Sequence, residues 1–248
     1  MALRERIIVM GVMGCGKSYQ WLQMARVQPN NQFRCIDTDM SIDYMLATQF
    51  KDLQNVTVHN AFEWTDYRAA LKAIMETEKE GDWTILEMAD NAWQAVQRYY
   101  VSQIHDQEMG DYFLEARKKS RDRASKAVYS EAFSGEHDWV VINRMYDDFI
   151  IPLVYRLKSH LYITTRPEAI AKKEDPDTQV VFGEFGVKPA GQKKLGHQVH
   201  TVFLFTHSKE GWFIRTAKER AGRSWFDKTP LRDFRTQYLV AKASWPMV

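Results

Sequence analysis

Eight residues near the amino terminus, Gly11-Val12-Met13-Gly14-Cys15-Gly16-Lys17-Ser18, spell glycine, four residues, then Gly-Lys-Ser. The apolar run Ile7-Ile8-Val9-Met10 leads into them, and Tyr19 to Val27 reads as a helix. A strand, a glycine turn and a helix in that order form a phosphate-binding loop. Glycines let successive backbone N–H groups curl around an anion, and the helix amino terminus adds positive dipole at the same point. The segment Gly11, Val12, Met13, Gly14, Cys15, Gly16, Lys17, Ser18 and Tyr19 is thus the expected cradle for the phosphates of a nucleoside triphosphate. Lys17 is placed to reach the β and γ phosphates, and Ser18 to bind Mg²⁺.

The rest of the chain sets limits on what this loop serves. Its 248 residues are 45% hydrophobic and 27% charged, which suits a soluble globular protein. The net charge of +2 gives no global argument for a nucleic-acid partner, so any such argument rests on local clusters. Cys15 and Cys35 have no metal-ligand spacing and fit a reducing compartment. His137, His160, His197, His200 and His207 also lack such spacing. No apolar stretch is long enough to cross a membrane, and the charged start Arg4-Glu5-Arg6 leaves no room for a signal peptide. A cytoplasmic protein is expected, in the host cytoplasm if the source is viral.

Apolar runs at 6–10, 33–36, 56–58, 83–86 and 160–164 predict strands. The recurrence of Trp64, Tyr67, Ala70, Leu71 and Ile74 at helical spacing predicts a helix over 62–80. Residues 91–132 and 138–157 also read as helical. Residues 166–198, with scattered Pro, Gly and Lys, read as a long loop. Two last strands, 201–206 and 212–216, flank a turn at Lys209-Glu210-Gly211. Strands alternating with helices predict an α/β fold: a mostly parallel sheet, helices on both faces, and an antiparallel hairpin at the carboxyl-terminal edge. One domain over 1–225 and a tail over 226–248 are expected.

Carboxylates at strand ends decide what the loop's nucleotide is used for, since open α/β sheets bind ligands there. Hydrolysis of ATP needs one acidic group for the metal and another to polarise the attacking water. Glu87 closes the run Trp83–Leu86 and takes the metal role; Asp90 is the competing candidate. Asp37 and Asp39 end the second strand, where an aspartate also suits a turn or helix cap.

These pieces resemble the RecA-like ATPases, and more closely the compact phage-type RecA-like nucleotide-binding proteins, some of which act in single-strand annealing. The resemblance rests on the loop Gly11–Ser18, on Cys35-Ile36-Asp37-Thr38-Asp39, on Ile85 to Trp93, and on Leu161-Tyr162-Ile163-Thr164-Thr165-Arg166. It implies a RecA-like P-loop NTPase with ATP and Mg²⁺, with Asp39 as the water-activating base and Glu87 as the metal carboxylate. Thr165 or Arg166 is implied as the γ-phosphate sensor. The late Ala217-Lys218-Glu219-Arg220 resembles a Lys-x-Arg motif that faces a neighbouring subunit's nucleotide, which implies a homo-oligomer. The family's usual acids are exchanged here, with Glu87 where Asp is usual and Asp39 where Glu is usual; slow hydrolysis is the expected consequence.

In the same family the loop after the sensor strand contacts single-stranded DNA. Lys172, Lys173, Lys188, Lys193 and Lys194 with Phe182 and Phe185 supply the cations and stacking faces such a loop needs. A second basic run, Arg117-Lys118-Lys119 with Arg121, Arg123 and Lys126, reads as a solvated helix face. Trp64, Trp83, Trp93 and Trp139 read as core, while Trp225, Phe226, Phe234, Tyr238 and Trp245 suit a tail docked either on the domain or on a neighbour. The expected function is an ATPase acting on single-stranded DNA in recombination, replication or repair. Two other readings share the phosphate loop: a small-molecule kinase using 117–126 as its lid, and an ATP-gated assembly or packaging component.

Overall fold

Strand β1 (Arg6–Gly11) lies at the centre of an eight-stranded sheet, and its neighbours decide where every functional group falls. The computed structural model describes residues 4–122, 133, 137–220 and 226–232. After β1 and α1 (Lys17–Val27) come β2 (Phe33–Asp37), α2 (Ser41–Thr48), β3 (Val56–Asn60), α3 (Trp64–Thr77) and β4 (Trp83–Glu87). Helices α4 (Ala89–His105), α5 (Met109–Asp122) and α6 (Asp138–Ile151) precede β5 (His160–Thr165). A small unit follows: β6 (Pro167–Ala169), α7 (Pro176–Phe182), β7 (Val187–Pro189) and α8 (Leu195–Gln198). Strands β8 (Thr201–Ser208), β9 (Gly211–Glu219) and β10 (Thr229–Pro230) complete the sheet.

The sheet order is β3-β2-β4-β5-β1-β8-β9-β10. All pairs from β3 to β8 are parallel, and β9 and β10 are antiparallel additions. The expected α/β sheet with an antiparallel carboxyl-terminal edge is therefore present. Alternation along the strands builds two cores. Ile8, Met10, Ile36, Leu86, Leu161 and Ile163 face α3, α4 and α6. Ile7, Val9, Cys35, Ile85 and Tyr162 face α1 and α2. On α1, Trp21, Leu22, Met24 and Ala25 are fully buried, so packing fixes the helix that carries the phosphate loop. Burial of side chains such as Trp21 and Leu22 is worth about 1.5–3 kcal/mol each.

Two expectations change. The helix expected over 138–157 is α-helical only to Ile151 and then turns into a π-helical segment, Pro152–Arg156. Pro152 has no N–H to continue the α-helical ladder, which favours that change of winding. The segment 166–198 is not a loop but a hairpin with two short helices. Asp175 caps α7 by accepting from the Thr178 amide at 2.8 Å, and Lys188 pairs with Glu174 at 2.6 Å. Such local polar locks leave no hydrophobic period to read. Beyond 225, Phe226 and Leu231 are buried in the α1-side core and β10 pairs with β9. Trp225, Phe234, Tyr238 and Trp245 lie outside the described residues.

Candidate nucleotide site

The phosphate loop is shaped by two demands that only glycine meets. A Cβ on Gly11 would stand 2.4 Å from Cys15 Sγ and 2.6 Å from the Phe205 carbonyl oxygen, so the loop and β8 approach too closely for a side chain. Gly14 (φ 76°) and Gly16 (φ 92°) are left-handed, where other residues are strained. Gly16 turns the chain directly into α1, so the amides of the first turn face the loop's hollow. Lys17 Nζ spans that hollow and donates to the carbonyls of Gly11 (2.7 Å) and Val12 (3.1 Å). Tyr162 Oη, from β5, donates to the Lys17 carbonyl at 3.2 Å and seats the start of the helix on the sheet.

Ser18 Oγ donates to Glu87 Oε1 at 2.8 Å, and Trp21 Nε1 donates to Glu87 Oε2 at 3.0 Å. Glu87 is almost fully buried. Burial pushes its carboxyl up to about 7, while Ser18, Trp21 and the neighbouring Thr164 pull it back toward the usual range. A buried carboxyl with that tension favours any cation placed beside it. Trp21 is a residue sequence reasoning missed, because an indole inside a helix carries no chemical motif.

Strand parity brings three polar groups to the same face. Asp37, Glu87 and Thr164 end β2, β4 and β5 on the α1 side, with Asp37 and Glu87 in register. Asp37 is buried and accepts from the amides of Asp39 (3.2 Å) and Ile42 (2.9 Å). Burial foremost lifts its carboxyl to about 6. Its oxygens are thus occupied in starting α2. Asp39 is exposed, accepts from the Ser41 amide at 3.2 Å, meets the Asp37 carboxyl, and lies close enough to Glu87 to raise it further. Thr38 ties the two strand ends together: its amide donates to the Glu87 carbonyl (2.6 Å) and its hydroxyl accepts from the Met88 amide (3.0 Å).

The two residues expected to sense the γ-phosphate are engaged elsewhere. Thr165 lies on the opposite face and donates to the Ala190 carbonyl at 2.9 Å. Arg166 pairs with Asp90 at 2.5 Å and donates to Asn91 Oδ1 at 3.1 Å. Thr164 is the β5 residue whose buried hydroxyl lies beside Glu87 and helps to bring its carboxyl back down. The alternation Leu161, Ile163, Thr165 against Tyr162, Thr164 held this information. Asp90, the competing metal candidate, is engaged by Arg166 and Thr165 rather than by Ser18.

The other expected site residues separate. Phe182 is buried against Gly196 and His197, and Phe185 lies under Arg215, whose guanidinium sits 4.6 Å from the ring centre. Lys188 is buried in its pair with Glu174. None of these three is free to meet a strand of DNA. Lys172, Lys173, Lys193 and Lys194 are exposed. Lys193 and Lys194 border a cleft of about 1230 Å³ together with Arg144, Arg166 and two tryptophans, Trp93 and Trp139. Those tryptophans are half-buried at the edge of the core and stacked on each other (centroids 6.2 Å apart), whereas Trp64 and Trp83 are buried. Lys218 Nζ donates to the carbonyls of Gly196, His197 and Val199 at 2.8, 3.1 and 3.0 Å, and burial brings its ammonium down to about 8. Arg220 Nη2 donates to the His197 carbonyl at 3.1 Å. Both sit at the end of β9 remote from the phosphate loop, so Lys218 anchors its own chain. Of the basic run, Arg117 and Lys118 are on α5; Arg123 and Lys126 lie outside the described residues, as do the side chains of Lys119 and Arg121.

Residues 4–203 match the family model described as the AAA domain. The chain belongs to the AAA domain family. A search of curated proteins finds no match. Among solved structures, the AAA domain protein is similar to the crystal structure of the RadB recombinase, at 9% identity and a TM-score of 0.52. That similarity covers 89% of this chain and 83% of that one, and at this identity it concerns the fold. The AAA domain is thus built here on a RecA-like P-loop fold, and no described helix is long and apolar enough to cross a membrane.

Proposed function

We propose that this AAA domain protein is a Mg²⁺-dependent ATPase that acts on single-stranded DNA in recombination or repair. The observation that carries this reading is the 2.8 Å hydrogen bond between Ser18 of the phosphate loop and Glu87 at the end of β4. Two hard oxygen donors, one on a buried carboxyl that a cation would relieve, suit Mg²⁺, either directly or through its waters. When bound, the metal would neutralise charge on the β and γ phosphates. Lys17 and the loop amides hold the phosphates; Lys17 exchanges the carbonyls of Gly11 and Val12 for phosphate oxygens. Trp21 keeps the Glu87 carboxylate turned toward Ser18. Asp39, exposed and without a basic partner among its described bonds, orients the attacking water. Thr164 supplies the hydroxyl that reports the γ-phosphate.

The DNA reading rests on the cleft beside β5. Lys193, Lys194 and Arg144 offer charge to a phosphate backbone, and the Trp93–Trp139 stack offers faces to bases. Asp90 and Arg166 form its floor three residues from Glu87, which gives DNA a short route to the hydrolytic centre. Assembly into oligomers belongs to this reading, through surfaces other than the anchored Lys218.

The test is ATP turnover with and without single-stranded DNA, for the native chain and Lys17→Ala. Turnover that rises with DNA and vanishes in the variant is the expected result. Transfer of phosphate to a nucleoside with no response to DNA would overturn the assignment in favour of a kinase.

A further inference from the structure

The phosphate loop has a second neighbour besides Glu87. Trp212 opens β9, pairs in register with His207 on β8, and donates its indole Nε1 proton to the Gly14 carbonyl at 3.0 Å. Its ring stacks on the His207 imidazole with centroids 4.4 Å apart and planes 17° apart. Despite its size Trp212 is 49% exposed. An indole tied to the tip of a phosphate loop, backed by a second ring and open to solvent, is not spent on core packing.

Sheet order says what lies above it. On one side of β1 stand β5 and β4 with Thr164 and Glu87, and on the other stand β8 and β9. The γ end of a bound triphosphate belongs with Lys17, Ser18 and Glu87. Its nucleoside end therefore leaves the loop toward β8 and β9, where the hairpin tip holds Trp212 and His207. Leu231, whose amide donates to the Trp212 carbonyl at 2.7 Å and whose side chain reaches Gly16, walls the same flank. We infer that Trp212, supported by His207, is the platform on which the nucleobase of the bound nucleotide stacks. Its bond to Gly14 fixes the ring beside the loop, so the platform is held in register with the phosphates.

This inference rests on the loop being a nucleotide site, and the experiment separates the two ideas. The affinities of MgATP and of magnesium tripolyphosphate, which has the phosphates without a base, are measured for the native chain, Trp212→Ala and Trp212→Phe. Base–aromatic stacking is worth enough that its loss weakens affinity about tenfold or more. Trp212→Ala is expected to lose that factor for MgATP and keep its affinity for tripolyphosphate. Trp212→Phe, which retains a ring but not the bond to Gly14, is expected to keep most of the MgATP affinity. Equal losses for both ligands in Trp212→Ala would overturn the proposal, since the indole would then only shape the loop. Unchanged MgATP affinity in that variant would overturn it as well. A native chain that binds neither ligand would refute the nucleotide site itself.

Discussion

Replacing Glu87 by Gln should change how stability depends on pH, and the size of the change follows from the site. In the folded chain the Glu87 carboxyl is raised from 4.5 to about 7, chiefly by burial. The folded protein thus keeps a proton at pH values where the unfolded chain has released it. Ionisation opposes folding: stability is highest below the unfolded value and falls as the pH rises through about 7. The full shift corresponds to about 3 kcal/mol, of which about 2–3 kcal/mol lies between about pH 5 and about pH 8.5. Glutamine preserves the local bonds, because its oxygen can accept from Trp21 and its amide can donate to Ser18. Denaturant unfolding of nucleotide-free protein at the two pH values gives the measurement. Other titrating groups, among them Asp37, His200 and Lys218, act in both proteins and cancel in the difference. The native chain should lose about 2–3 kcal/mol more than Glu87→Gln across that interval. Parallel pH dependences would refute the picture of a buried carboxyl awaiting a cation.

Thr164→Val should keep nucleotide affinity within a few-fold while turnover falls by about tenfold or more, read from single-turnover hydrolysis, as expected for a group acting on the transition state. Gly11→Ala should destabilise the domain by about 1–3 kcal/mol and abolish nucleotide binding, because its new Cβ meets both the buried Cys15 Sγ and the Phe205 backbone, which cannot move aside; thermal unfolding with and without MgATP checks both. The double change Lys193→Ala with Lys194→Ala should weaken single-stranded DNA binding and lower the slope of log affinity against log salt by about 1.4, two phosphate contacts at about 0.7 each. An unaltered slope would move the DNA interface elsewhere.

The phosphate loop, the mostly parallel sheet with its antiparallel edge, and the position of Glu87 at a strand end were legible because each is written locally: glycines at fixed offsets, apolar runs, and an acid closing a strand. What escaped the sequence depended on partners distant in the chain. Whether Thr164 or Thr165 faces Glu87 is a matter of strand parity, and two adjacent threonines give no composition signal. Lys218 reads like a mobile cation until three carbonyls from around α8 enclose it. Phe182, Phe185 and Lys188 look solvent-bound in a lysine-rich stretch, yet the hairpin of β6 and β7 folds them inward through Asp175 and Glu174. Trp93 and Trp139 carry helical spacing that suits a core, and only the meeting of α4 with α6 at a cleft shows their faces. Asp37 and Asp39 were separable in principle, since an acid in register with Glu87 is buried and one two residues beyond it is not.

Calorimetric titration of the native chain and of Lys17→Ala with ATP, in the presence and absence of Mg²⁺, tests the central claim most directly. The account predicts saturable heat with the native chain that strengthens with Mg²⁺ and disappears when Lys17 is removed. Absence of heat with the native chain, or equal heat in the two proteins, would contradict it.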